Sequence, residues 1–126
     1  MLSPEFYACF DRAKESLRAD YVERTPSGYS DLLERSLNHV MHHYDDFDGP
    51  NFDTGRIKSV STGSYQGSLY FLIPTDGYSE DCYTASCSYG SCSHCDAFEA
   101  CEGYGNPDFD GFVRLSLHLL QSLKRV

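Results

Sequence analysis

The sequence predicts an α+β fold: an N-terminal helical hairpin, a three-stranded antiparallel sheet, a short helix after a cysteine-rich turn and a C-terminal helix. Three observations carry this. Apolar residues recur every three or four positions up to about residue 44, which is the helical period. Between residues 56 and 90 the period falls to two, with β-branched and aromatic residues enriched. The breaks between the middle runs hold only a few residues, too few for crossovers, so the strands should form an antiparallel meander.

Each element has its own local warrant. Ser3-Pro4 opens the first helix, a capping hydroxyl followed by proline at the first helical position. Phe6, Phe10, Ala13, Leu17 and Tyr21 form its buried stripe, and "TPSG" at 25–28 ends it after about Arg24. A second helix begins near Ser30-Asp31, with Glu34 completing a capping box and Leu33, Leu37, Val40 and Tyr44 facing inward. A short loop between two helices predicts antiparallel packing. "DDFDGPNFDTG" at 45–55 reads as a linker whose carboxylates stay in water. Strands follow at 56–62, at 65–74 and within "DCYTASCSYG", 81–90. The helical period returns at about 93–102, and 103–111 reads as a loop. The last helix buries Phe112, Leu115, Leu119 and Leu123, and Lys124 and Arg125 suit its negative C-terminal end.

A chain of 126 residues suits one domain, 1–126, in which 1–44 is the hairpin, 45–55 the acidic linker and 56–126 the sheet with the remaining helices. Ten Tyr and eight Phe predict a core built largely from rings. No apolar run approaches the roughly eighteen residues of a membrane span, and the N-terminus lacks the basic-then-apolar order of a signal peptide. A reducing cytoplasm is therefore expected, where clustered cysteines more often mean metal or catalysis than disulfides.

Ten basic residues stand against nineteen acidic ones, a net charge of −9. No Lys or Arg lies between Arg35 and Arg56, where Asp45, Asp46, Asp48 and Asp53 fall. None lies between Lys58 and Arg114, where Asp76, Glu80 and Asp81 occupy the turn between the second and third strands. These seven acids are the candidate partner-binding residues, because neither loop contains a base to neutralise them. Such a field repels phosphate and disfavours direct nucleic-acid binding, but it attracts a basic protein surface.

Five of the six cysteines fall within 82–101. Cys92 and Cys95 form a C-x-x-C where a strand meets a helix, and Gly90 and Ser91 let both sulfurs curl toward one ion. Cys87 and Cys101 complete a tetrahedral set for structural Zn²⁺, with Cys82, His94 or Asp96 as substitutes for one thiolate. Cys82 differs from Cys87 by an odd number, so a regular strand puts them on opposite faces. The alternative is a thiol-disulfide oxidoreductase using Cys92 and Cys95, since "CSHC" resembles the dithiols of thioredoxin-like enzymes. Against it, no βαβ unit precedes the motif.

Other chemistry finds less support. His39 and His43 share a helical face, but without the glutamate of H-E-x-x-H they read as solvated or interface histidines. The C-x-x-C lacks the H-x-E of zinc deaminases. "STGSYQG" has only the glycines of a phosphate loop, and Gly49 stands at the wrong offset for a calcium loop. The chain is expected not to be an enzyme.

"GSYQG" at 63–67 and "SYGSCSHCDAFEAC" at 88–101 together resemble a box in small proteins encoded by bacteriophages and prophages, in which G-S-x-Q-G precedes Y-G-S-C-S-x-C-D. Such proteins include zinc-binding anti-CRISPR proteins directed at type II nucleases, and the chain looks like one of these. The likeness does not extend to the N-terminal helices, and His94 replaces the small residue usual between the two cysteines. The resemblance implies a type II CRISPR effector nuclease as partner, blocked from loading DNA in the host bacterial cytoplasm. A non-catalytic phage accessory protein is the other reading.

Overall fold

Twenty residues of helical period, opened by proline, form α1 (Pro4–Glu23), and fourteen more form α2 (Tyr29–His42). The computed structural model describes residues 2–62, 67–76, 81–89, 97–103 and 105–126. The strands are β1 (Lys58–Thr62), β2 (Gly67–Pro74), β3 (Cys82–Tyr89) and β4 (Lys124–Arg125), with α3 (Ala97–Glu102) and α4 (Phe109–Gln121) between the last two. Among the described residues no helix is long and apolar enough to cross a membrane.

The expected stripe of α1 is buried from Phe6 to Tyr21. Its cap differs from expectation: Ser3 stands at the N-cap, but its hydroxyl makes no capping bond. Proline at the next position has no N–H to satisfy, and the Phe6 N–H closes the first turn on the Ser3 carbonyl at 3.1 Å. The capping box of α2 is likewise shifted. The helix begins at Tyr29, so Asp31 sits in its third position and accepts from the Ser27 N–H at 3.1 Å.

Arg35 locks this hairpin, although its side chain is only 5% exposed. Its Nη2 donates to the carbonyls of Asp20 and Arg24 at 2.9 and 2.8 Å, taking up backbone acceptors at the end of α1. Its Nη1 reaches Asp31 at 3.0 Å, and its guanidinium lies over the Tyr21 ring at 4.8 Å from the centroid. A planar fork with five donors suits this site as an ammonium would not.

The sheet is antiparallel throughout, in the order β1-β2-β3-β4. Phe71 and Ile73 of β2 and Tyr83 and Ala85 of β3 point inward, while Val60, Tyr70 and Leu72 remain exposed on the outer face. The inward rings join the helical layer: Phe52 stacks edge-on with Phe6 at 6.2 Å and with Tyr83 at 5.1 Å, and Phe98 meets Phe112 at 5.2 Å.

Two C-terminal expectations need correction. Lys124 and Arg125 do not end a helix; they form β4 and pair with Thr84 and Tyr83. Buried Leu123 anchors the chain beside β3, where ladder bonds outweigh a dipole contact. Residues 109–111 belong to α4, because Asp108 caps it through the Gly111 N–H at 2.9 Å. Gly111 is tolerated there for a packing reason: a Cβ would meet the Cys101 sulfur at 2.6 Å.

Candidate functional site

The linker is not a free tether. Phe52, 3% exposed, plugs the core from the middle of it and bridges Thr75 in antiparallel fashion. Asp53 donates its N–H to the Pro74 carbonyl and Asp76 donates to the Asn51 carbonyl, both at 2.8 Å. Upstream, the Tyr44 hydroxyl donates to the Pro50 carbonyl at 3.0 Å. The backbone at Gly49 passes so close to the Phe47 ring that a Cβ would lie 2.5 Å from it.

This folding brings acids of the linker together with Asp76 and Asp81. Asp48, Asn51, Asp76, Asp81 and Tyr83 line one cleft of about 550 Å³. Asp48 also lines a second cleft of about 450 Å³ with Glu5, Arg12, Asp45 and Asp46. Asp48 joins the two clefts, so Glu5, Asp45, Asp46, Asp48, Asp76 and Asp81 line adjoining acidic surfaces, while Asp53 lines neither cleft. Glu80 lies outside the described residues.

The expectation that these acids stand unneutralised holds for only some of them. Arg125 reaches Asp81 at 2.7 Å, Arg56 reaches Asp53 at 3.4 Å and Arg12 lies 3.8 Å from Asp45. Arg12 and Arg125 come from distant segments, so inspection of the loops alone misses them. Asp46, Asp48 and Asp76 are exposed and carry no ion pair among the described residues.

Of the cysteine set, Cys92 and Cys95 lie outside the described residues, as do His94 and Asp96. Cys9, Cys82, Cys87 and Cys101 are thiols rather than half-cystines. Cys87 shares the inward side of β3 with Tyr83 and Ala85 and packs against the core, while Cys82 takes the other side, as the odd spacing predicts. Cys101 is buried where α3 meets Gly111. Burial pushes its thiol pKa up, and the neighbouring Asp108 carboxylate adds to this against the smaller pull of Arg114. Among the described residues, no three Cys, His, Asp or Glu side chains gather closely enough to hold a metal. Of the described members, Cys87 suits zinc chemically: it is a partly buried thiol on the side of β3 that faces the last helix.

His118 is the residue that sequence reasoning missed. It lines a cleft of about 330 Å³ together with Cys87, Tyr29, Ser86, Ala97 and Leu115. It lies one position from Leu119 of the apolar stripe, so its pattern reads as an ordinary surface histidine.

His39 and His43 do not face a common ion. His39 Nε2 lies 3.0 Å from Asp20 Oδ2 and Nδ1 lies 3.2 Å from Ser16 Oγ, while His43 Nδ1 contacts the His39 carbonyl. The Ser16–His39–Asp20 chain superficially resembles a nucleophile with its base. Ser16, however, donates to the Ala13 carbonyl from mid-helix, where the backbone N–H groups are already used and form no oxyanion hole. It ties α1 to α2.

Comparisons with protein-family models, curated proteins and solved structures give no match for this chain.

Proposed function

We propose that this chain is a non-catalytic, zinc-stabilised inhibitor that binds a basic protein surface through its acidic rim. The observation that carries the reading is the convergence of linker residues 48–51 with Asp76 and Asp81, distant in sequence, on one cleft, which Asp48 joins to a second cleft lined by Asp45 and Asp46. The resemblance described above narrows the partner to a type II RNA-guided nuclease in the cytoplasm of a phage's bacterial host. Such a nuclease holds its guide–target duplex in a positively charged channel. A domain of net charge −9 competes with DNA for that channel by direct occupation.

Zinc, when bound to thiolates of the 82–101 stretch, supplies cross-linking between strand and helix rather than chemistry. Cys87 holds the strand side of that link, with Cys92, Cys95 and Cys101 as the other candidates from the sequence. The acidic residues bind and orient the partner; no step of bond making is assigned to any of them.

The deciding experiment is capture from a bacterial lysate with and without an expressed type II nuclease, followed by DNA-binding competition with the purified pair. The expected result is a complex in which the nuclease no longer loads DNA. Recovery of small-molecule enzymes alone, together with dithiol-dependent insulin reduction by the purified chain, overturns it in favour of the oxidoreductase.

A further inference from the structure

β3 and the C-terminal segment run side by side in a definite register. Tyr83 faces Arg125 and Thr84 faces Lys124 across the ladder, and the Ser86 N–H donates to Ser122 Oγ at 2.9 Å. From Ser86 to Ser88 the strand advances about 7 Å. From Ser122 back to His118 the helix covers about 6 Å. His118 therefore stands level with Cys87 and Ser88, in agreement with the cleft of about 330 Å³ that both Cys87 and His118 line.

Cys101 belongs to a different level of α4. Its sulfur packs where a Cβ on Gly111 would come within 2.6 Å, and it does not line the Cys87 cleft among the described residues. Gly111 precedes His118 by two helical turns, about 10 Å along the axis.

We propose that His118 is a zinc ligand together with Cys87, and that Cys101 is a packing thiol. This rests on the zinc reading above and changes its ligand set. A thiolate sulfur and a neutral imidazole nitrogen are a donor pair that zinc takes readily, at about 2.3 and 2.0–2.1 Å. Cys87 is half-buried on the inward side of β3, and His118 is exposed on α4 and lines the same cleft. On binding, the Cys87 thiol gives its proton to solvent and its sulfur takes the metal.

The test measures zinc per chain by elemental analysis, and affinity by competition with a chromogenic chelator, for the full chain and for His118→Ala, Cys87→Ala and Cys101→Ala. Cobalt(II) loaded into the parent and into His118→Ala gives an independent readout, because losing a nitrogen donor moves the visible absorption of a tetrahedral ion. The expected result is an affinity loss of at least about tenfold for His118→Ala and Cys87→Ala, no less than an outer-shell partner costs. Cys101→Ala is expected to retain its metal, and the His118→Ala cobalt spectrum to change. Parent affinity and an unchanged cobalt spectrum in His118→Ala overturn the proposal while leaving the zinc reading intact. A parent chain purified without zinc, and unable to take it up, overturns both.

Discussion

The Asp76 N–H donates to the Asn51 carbonyl at 2.8 Å, and this bond holds the segment just after β2 against the linker. Asp48 of the linker thereby shares one acidic cleft with Asp76 and Asp81, although the first two strands separate them in sequence. The relationship sorts the acids by what already neutralises them, and the sorting has measurable consequences.

Reversing Asp46, Asp48 and Asp76 together to Lys is expected to slow association with the proposed basic partner by at least about tenfold at low salt, and by less as salt screens the field. Reversing Asp45, Asp53 and Asp81 is expected to slow it less, because Arg12, Arg56 and Arg125 already offset those charges. Stopped-flow association rates at two ionic strengths separate the triplets. Equal rates for the first triplet and the parent at low salt remove acidic steering from the mechanism.

Phe52→Ala alters no charge but removes the plug that seats the linker. A destabilisation of about 3–5 kcal/mol is expected, from lost transfer energy and the cavity left behind. If the acidic rim acts as one surface, partner affinity falls as well, at temperatures where the variant remains folded by circular dichroism. Denaturant melts combined with a binding titration check both parts.

Arg35→Met leaves the Asp20 and Arg24 carbonyls and two carboxylates without their common donor. Removing one member of a buried charge cluster typically costs about 3–5 kcal/mol, and a shift of that order in the unfolding free energy is expected. Arg35→Lys is expected to recover only part of it, since an ammonium cannot reproduce the fork. Full recovery by lysine assigns the effect to charge alone.

The acid limb of stability is expected to depend on Asp20. Burial by itself raises its carboxyl pKa, but hydrogen bonds from Arg35 and His39 outweigh burial and hold it below the ordinary aspartate value of 3.8. A group whose pKa is lower in the folded state contributes stability that is present above its unfolded pKa and lost as pH falls through the folded one. Unfolding free energies measured from pH 6 down to about 2 should therefore fall less steeply in Asp20→Asn than in the parent. Parallel curves place the acid sensitivity in other carboxylates.

Much of the architecture was legible in local patterns. Periods of 3.6 and 2 marked both hairpin helices and three strands to within a few residues, because each element buries one face and the chain must repeat at that element's pitch. The odd spacing of Cys82 and Cys87 correctly set them on opposite sides of β3. Acidic segments were equally plain from composition.

Contacts between distant segments left no such trace. Two residues suffice for β4 because Leu123 is already fixed in the core beside β3, and a two-residue strand has no period to read. Arg35 scans as one more helical surface charge until α1 ends above it. The pairing of Asp81 with Arg125 and the shared level of Cys87 and His118 are set by how α4 lies along β3. Local sequence determines which face an element buries, since that depends on neighbours three or four positions away. Which charges cancel and which side chains share a cleft depends on packing that brings together groups some thirty or more residues apart, and only the folded chain specifies that.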